Sequence, residues 1–271
     1  MKVVGFVQNY NNVSNGFLEM SLLSLSKTCD KIYVYDSAST EDTRELYKKF
    51  ECIVIYAVEN KFWKELYHKQ ELLSIALRDN PDWICWIDSD AILGKHWECY
   101  DRTRKSLAYC DDNGICLLHL HNLNLWRSDS YYRVDQKFND LWHGVFWKNT
   151  GELHYTPTGK LHQKQYPRFF HDPNIEVTAS NFDSEDGKLI HFGFARDEEV
   201  ATKYFRYRSL GQTGWALDRL VDESNLDLRK ADQSWFPTWY KSQITDKPNQ
   251  LFSPSEMSGS PSYEEWTKLR Q

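Results

Sequence analysis

Trp83-Ile84-Cys85-Trp86-Ile87-Asp88-Ser89-Asp90 is an apolar run that stops on two carboxylates one residue apart. The run reads as a strand, and Asn80-Pro81 just ahead of it ends whatever helix precedes, because the residue before proline is pushed out of the α region. In an open α/β sheet, ligands bind beyond the carboxyl ends of the strands, so both acids are delivered to a binding edge. Carboxylates at that place suit a hard divalent cation that also touches phosphate oxygens. Asp and Ser are ordinary turn residues as well, and so short a pattern recurs by chance. The triplet alone leaves a metal site and a plain strand-ending turn both open.

Working outward, Val3 to Val7, Ile32 to Tyr35 and Ile53 to Val58 are further short apolar runs. Between them Gly16 to Ser26 and Thr40 to Phe50 have amphipathic helical patterns, and Phe62 to Leu77 repeats apolar residues at three- and four-residue intervals. The alternation predicts strands joined by crossover helices, hence an α/β fold with a mostly parallel central sheet flanked by helices. From Ile115 the segments become shorter and richer in His, Trp and Tyr. Cys116 to Leu120, Trp142 to Trp147 and Ile175 to Thr178 are expected as antiparallel strands among long loops at the sheet edge. Asp197 opens a second strong helix as its N-cap, with Val200, Tyr204 and Tyr207 at helical spacing. The last stretch, holding Trp235, Trp239, Pro254, Pro261 and Trp266, has weak periodicity. One domain is expected over residues 1–225, in halves 1–114 and 115–225, with an extension 226–271 packed on it.

The net charge of −6 argues against a nucleic-acid binder, which needs a surplus of Lys and Arg on some face. No stretch approaches the roughly 20 apolar residues that span a bilayer, and Met1-Lys2 leads directly into an apparent core strand. Neither signal peptide nor membrane anchor is expected. The six cysteines lack CxxC spacing, and Cys52, Cys85 and Cys116 sit in apolar runs, so reduced thiols in a cytoplasmic protein are predicted.

Three further segments, taken with the acid triplet, resemble the family-2 glycosyltransferases. Val7-Gln8-Asn9-Tyr10-Asn11 is similar to that family's first strand and Pro-x-Tyr-Asn turn, with Gln8 where proline is usual. Asp36-Ser37-Ala38-Ser39-Thr40-Glu41-Asp42-Thr43 resembles its Asp-Asp-Gly-Ser-x-Asp-x-Thr stretch. It keeps Asp36, Ser39 and Thr43 and loses the second Asp and the Gly. Leu189-Ile190-His191-Phe192-Gly193-Phe194, followed by Lys203 and Arg206-Tyr207, is similar to the late His-x-Gly-Tyr element with a Lys and an Arg-Tyr pair on the next helix. The likeness runs in order over residues 3–210.

The resemblance implies a Rossmann-like GT-A domain, with a nucleotide-binding half over 1–114 and an acceptor-side half over 115–225. It implies inverting transfer of a sugar from a nucleotide-sugar donor, a UDP-sugar most naturally, to a hydroxyl of an oligosaccharide or other glycan acceptor. Gln8, Tyr10, Asp36, Lys69, Asp88 and Ser89 would bind the donor. Among them Asp36 would accept from uracil N3–H, and Asp88 would support the ribose or a metal-bound water. Asp90 and His191 would hold Mn2+ or Mg2+ on the diphosphate, with Lys203, Arg206 and Arg208 neutralising charge. Each residue also has a plainer role open to it: an Asx turn or N-cap for Asp36 and Ser39, a core position for His191, solvated cations for the helix.

A base must remove the acceptor's proton. Asp183, in Asn181-Phe182-Asp183-Ser184-Glu185-Asp186-Gly187, is assigned that role because its place before the His191 strand resembles the family's. A solvated acidic turn is the alternative, and Glu152, Asp172 and Glu185 compete. Trp126, Trp142, Trp147 and Trp215, from a chain with eleven tryptophans, could stack on sugar faces in an acceptor groove or pack in the core. Two rivals remain: another metal-dependent sugar-nucleotide enzyme, and an inactive carbohydrate-binding relative. A nucleotidyltransferase would need a Gly-rich phosphate loop at the first strand, which Gly5 alone does not supply.

Overall fold

The computed structural model describes residues 1–61, 64–135, 138, 141–151, 153–155, 168–169, 178–209, 217, 220, 226–242 and 244. The chain divides into two compact units that interleave in sequence: residues 1–121, 142–189 and 235–238 form the first, and residues 122–141, 190–234 and 239–271 the second.

The first unit is the expected α/β layer. Strands β1 (Val3–Asn9), β2 (Lys31–Asp36), β3 (Ile53–Tyr56) and β4 (Trp83–Trp86) alternate with helices α1 (Phe17–Thr28), α2 (Arg44–Lys49) and α3 (Glu65–Leu77). β1 pairs in parallel with both β2 and β4, and β2 with β3. Chain order continues through β5 (Ala91–Leu93), α4 (Tyr100–Asp112), β6 (Leu117–Asn124), β7 (Tyr131–Arg133), β8 (Trp142–Lys148), β9 (Leu153–His154), β10 (Arg168–Phe169), β11 (Ala179–Phe182) and β12 (Leu189–His191). The sheet has the order β3-β2-β1-β4-β8-β6-β12-β5, with β11 also paired to β6.

Strand direction fixes where ligands can meet the sheet. β8 is antiparallel to both β4 and β6, so β4 and β6 run the same way, and β11 is parallel to β6. Hence β1, β2, β3, β4, β6 and β11 share one direction, with β8 reversed among them. The antiparallel region expected after residue 115 is therefore only partly so. The strand expected over Ile175 to Thr178 falls at Ala179–Phe182, with 175–177 outside the described residues.

Alternation along the strands builds a core on each face of the sheet. Val3 and Val7 of β1 and Trp83, Cys85 and Ile87 around β4 pack with Leu18, Leu22 and Leu25 of α1. Val4, Phe6, Ile84 and Trp86 pack with Leu66, Leu72, Leu73 and Ala76 of α3. Helix α4 has no counterpart in the expected pattern, because its sequence is mostly polar and only Thr103, Leu107 and Cys110 are buried, a stripe one residue wide at spacings of four and three. Helix α2 is shorter than expected, since residues 36–43 are held in a hydrogen-bonded loop instead. All six cysteines are free thiols, three buried and three half-buried.

In the second unit, β7 pairs antiparallel with β13 (Leu228–Lys230), and helix α5 (Asp197–Ser209) begins at the predicted Asp197. Its core gathers Trp126, Phe138, Phe194, Val200, Ala201, Phe205, Tyr207 and Leu220. The Arg133 guanidinium is buried there against Asp135, lying 4.4 Å from the Trp126 ring and 4.5 Å from Phe138. The ends of the expected extension, including Pro254, Pro261 and Trp266, lie outside the described residues. No helix among the described residues is long and apolar enough to cross a membrane.

Candidate active site

Asp88-Ser89-Asp90 forms the tight turn between β4 and β5, at the carboxyl edge of the first unit's sheet. Helix α1 holds this turn from below through buried hydroxyls. Ser21 Oγ donates to the carbonyl of Ala91 at 2.7 Å and faces that of Asp88 at 3.4 Å. Ser24 Oγ accepts the Leu93 amide at 2.9 Å, and Thr28 Oγ1 donates to the Trp97 carbonyl at 2.9 Å. From the side, Asn12 Nδ2 donates to Ser89 Oγ at 2.7 Å. Ser89 is buried, whereas both acids are half-buried. Among the described residues the Asp88 carboxylate has no hydrogen bond or ion pair. The hydroxyl of Tyr155 is buried and without a hydrogen-bond partner among the described residues. Burial first, then the charges of Glu65 and Asp88, push that phenol well above its ordinary range.

The loop after β2 is arranged differently. Asp36 is 2% exposed, and its oxygens accept from the Ser39 amide at 2.7 Å, Thr43 Oγ1 at 3.0 Å and Tyr47 OH at 2.6 Å. That carboxylate is engaged within its own loop, which is the turn role weighed for it above. Ala38 takes φ 61, a left-handed conformation unusual for a residue with a Cβ, and the hydrogen bonds across it, from Ser39 and Thr43 to Asp36, hold the loop.

Beside this loop a cleft of about 530 Å³ opens past β2 and β3, its lining including Tyr35, Val58, Glu59, Tyr67, His68 and Glu71. His68 stacks on Tyr35 with centroids 4.4 Å apart, and Gln8 Nε2 approaches its Nδ1 at 3.2 Å and Ser37 Oγ at 3.1 Å. Burial lowers the His68 pKa, which keeps the ring neutral and able to accept from Gln8. Tyr10 is half-buried at the end of β1. Lys69, assigned above to the donor, turns inward: it is 2% exposed, pairs with Glu65 at 2.6 Å and lies 4.1 Å from the Trp86 ring. A donor contact by its ammonium is not what this conformation offers.

Asp183 is exposed and follows β11 directly, so it stands on the same carboxyl edge as Asp88. Three strand spacings along the sheet separate β11 from β4, about 14 Å. The neighbouring acids divide in role. Asp186 accepts from Ser184 Oγ at 2.7 Å and pairs with Arg102, and its carbonyl accepts the His96 amide. Gly94 is required there, because a Cβ would stand 2.6 Å from the Asp186 carbonyl. Glu185 is exposed like Asp183, while Glu152 and Asp172 lie outside the described residues. Of the tryptophans weighed for an acceptor groove, Trp126 and Trp147 are core. Trp142 is half-buried at the same edge, 5.3 Å from the His121 ring, and Trp215 lies outside the described residues.

In the second unit His191 is half-buried at the end of β12. Its Nδ1 faces Asn124 Oδ1 at 2.8 Å, which makes Nδ1 the protonated nitrogen and turns the Nε2 lone pair toward Lys203 Nζ at 3.4 Å. A carbonyl oxygen fixing the tautomer in this way is the usual support of a ligating imidazole. Lys203 also lies 4.4 Å from the Phe194 ring.

No group of three or more His, Cys, Asp or Glu is gathered as a metal cage among the described residues. Two half-buried carboxylates on one turn, with that of Asp88 without a partner among the described residues, still fit a cation that draws its other ligands from a bound diphosphate and water.

No protein-family model matches the chain, and no curated protein matches it. Solved structures give partial likenesses. S. aureus TarS 1-349 in complex with UDP-GlcNAc matches at TM-score 0.38 and 20% identity over 46% of this chain and 35% of that one. Mannosyltransferase PcManGT from Pyrobaculum calidifontis, in complex with GDP-Man and Mn2+, matches at 0.33 and 20% over 44% and 35%. Glucosyl-3-phosphoglycerate synthase from Mycobacterium tuberculosis, with Mn2+, UDP and phosphoglyceric acid, matches at 0.30 and 19% over 45% and 43%. The chain thus spans well under half the length of each, and at these scores the likenesses decide nothing about its chemistry.

Proposed function

We propose that this chain is a glycosyltransferase that moves a sugar from a nucleoside-diphosphate donor, a UDP-sugar, to a hydroxyl of a glycan acceptor with inversion. The observation that carries the proposal is the turn after β4. There a half-buried carboxylate without a partner among the described residues is fixed at the carboxyl edge of a mostly parallel sheet. The four motifs of the family resemblance add the choice of donor.

On this proposal Asp90 would hold Mn2+ or Mg2+ on the diphosphate, with Asp88 beside it supporting the ribose or a metal-bound water. The cation, when bound, stabilises charge on the departing diphosphate. Gln8 and Tyr10 orient the nucleoside, whose base enters the cleft beside Tyr35 and His68. Asp36 serves by holding its loop and Lys69 by neutralising Glu65 behind Trp86, so both act without touching the donor. Asp183, on the acceptor side of the edge, takes the proton of the attacking hydroxyl.

A panel of nucleotide sugars assayed for Mn2+-dependent hydrolysis and binding tests this. One donor should turn over, and Asp90→Ala should lower that turnover about 100- to 1,000-fold. Unchanged turnover and affinity in the variant, with or without metal, would remove the proposal.

A further inference from the structure

We propose that Asn12 is a positioning residue that couples the nucleoside loop to the acid turn, so that nucleotide and divalent cation bind synergistically through it. This rests on the glycosyltransferase proposal above and adds a residue and a behaviour to it.

Residues 10–16, between β1 and α1, touch both loops with consecutive asparagines. Asn11, at φ 51, interlocks with the loop after β2. Its amide donates to Ser39 Oγ at 3.2 Å, its Nδ2 to Thr40 Oγ1 at 3.0 Å, and its Oδ1 accepts the Thr40 amide at 2.8 Å. The Val13 amide adds a bond to Glu41 at 2.7 Å. Asn12 faces the other way and donates to Ser89 between the two acids. Its Oδ1 accepts from Asn15 Nδ2 at 3.0 Å, and Asn15 Oδ1 accepts the Phe17 amide at 3.0 Å in the first turn of α1. Asn12 is thereby braced against the helix that carries Ser21 and Ser24. Because its amide is the donor, the Ser89 hydroxyl keeps its own proton for an anionic oxygen. A nucleotide that settles the loop after β2 settles Asn11, hence Asn12, and so prepares the acid turn for the cation. Linkage makes the effect reciprocal.

The measurement is UDP affinity by calorimetry in Mn2+ and in EDTA, for the wild-type chain, Asn12→Ala, Ser89→Ala and the double variant, with thermal unfolding confirming each fold. Asn12→Ala should reduce the gain in affinity that Mn2+ brings about tenfold. Affinity in EDTA should stay within about twofold, since a merely structural defect lowers both. In the Ser89→Ala background the same change should cost nothing further. If the alanine variant does not fold, Asn12→Ser, too short to reach Ser89, takes its place. An unchanged Mn2+ gain, a parallel loss in both conditions, or additive losses in the double variant would overturn the role of Asn12. A wild-type chain that binds no UDP, or gains nothing from Mn2+, would overturn the glycosyltransferase proposal and this one with it.

Discussion

Two strands flanking β1 end in the same dipeptide: β2 stops at Asp36-Ser37 and β4 is followed by Asp88-Ser89. At the first, three donors from within eleven residues surround the carboxylate and bury it. At the second, helix α1 and Asn12 take up the turn's carbonyls and its serine, while the Asp88 carboxylate is left without a partner among the described residues. The acid that is fully hydrogen-bonded holds shape, and the acid that is not is the one available to a ligand. Chemistry at a strand end is therefore assigned by what the neighbouring groups have already consumed.

Stability should separate the two acids most strongly. Asp36→Ala leaves buried donors unmatched and should lower the unfolding free energy by about 3 to 4 kcal/mol in chemical denaturation. Asp88→Ala should change it by less than about 0.5 kcal/mol. Equal effects would erase the distinction. Tyr47→Phe sharpens it. Removing the hydroxyl that donates to Asp36 and accepts from Asn9 Nδ2 should cost about 1 to 2 kcal/mol, read by the same method. The smallest change should run the other way. Ala38→Gly relieves a left-handed alanine and should stabilise the chain by up to about 1 kcal/mol, and a loss of stability would show that the alanine methyl packs usefully there.

Much of this frame was legible beforehand, for reasons that also explain the failures. β1, β2 and β4 stood out because largely buried strands are written as short continuous apolar runs, β3 because its edge strand is apolar although Ile53 and Tyr56 are exposed, and the Asp197 helix because it begins at an acid followed by periodic apolar residues. Which carboxylate was already engaged could not be read, since that depends on Tyr47, eleven residues beyond Asp36 and across a loop. Lys69 looked like a donor contact because nothing in sequence distinguishes an ammonium facing a cleft from one laid over Trp86. Asn12 was overlooked, although Asn9, Asn11, Asn12 and Asn15 within seven residues after an apolar strand were a signal of a side-chain network. Ser21, Ser24 and Thr28 are small polar residues that periodicity does not mark for the core, yet all three are buried in α1.

Those three hydroxyls make the acid turn and α1 one portable part. Each bond is directional, so α1 cannot roll or slip along its axis without parting from Ala91, Leu93 and Trp97 together. Engineers who wish to move this carboxylate pair into another α/β scaffold would have to carry residues 12–28 along with 83–97. A strand and its two acids grafted alone would arrive without the brace that sets their spacing.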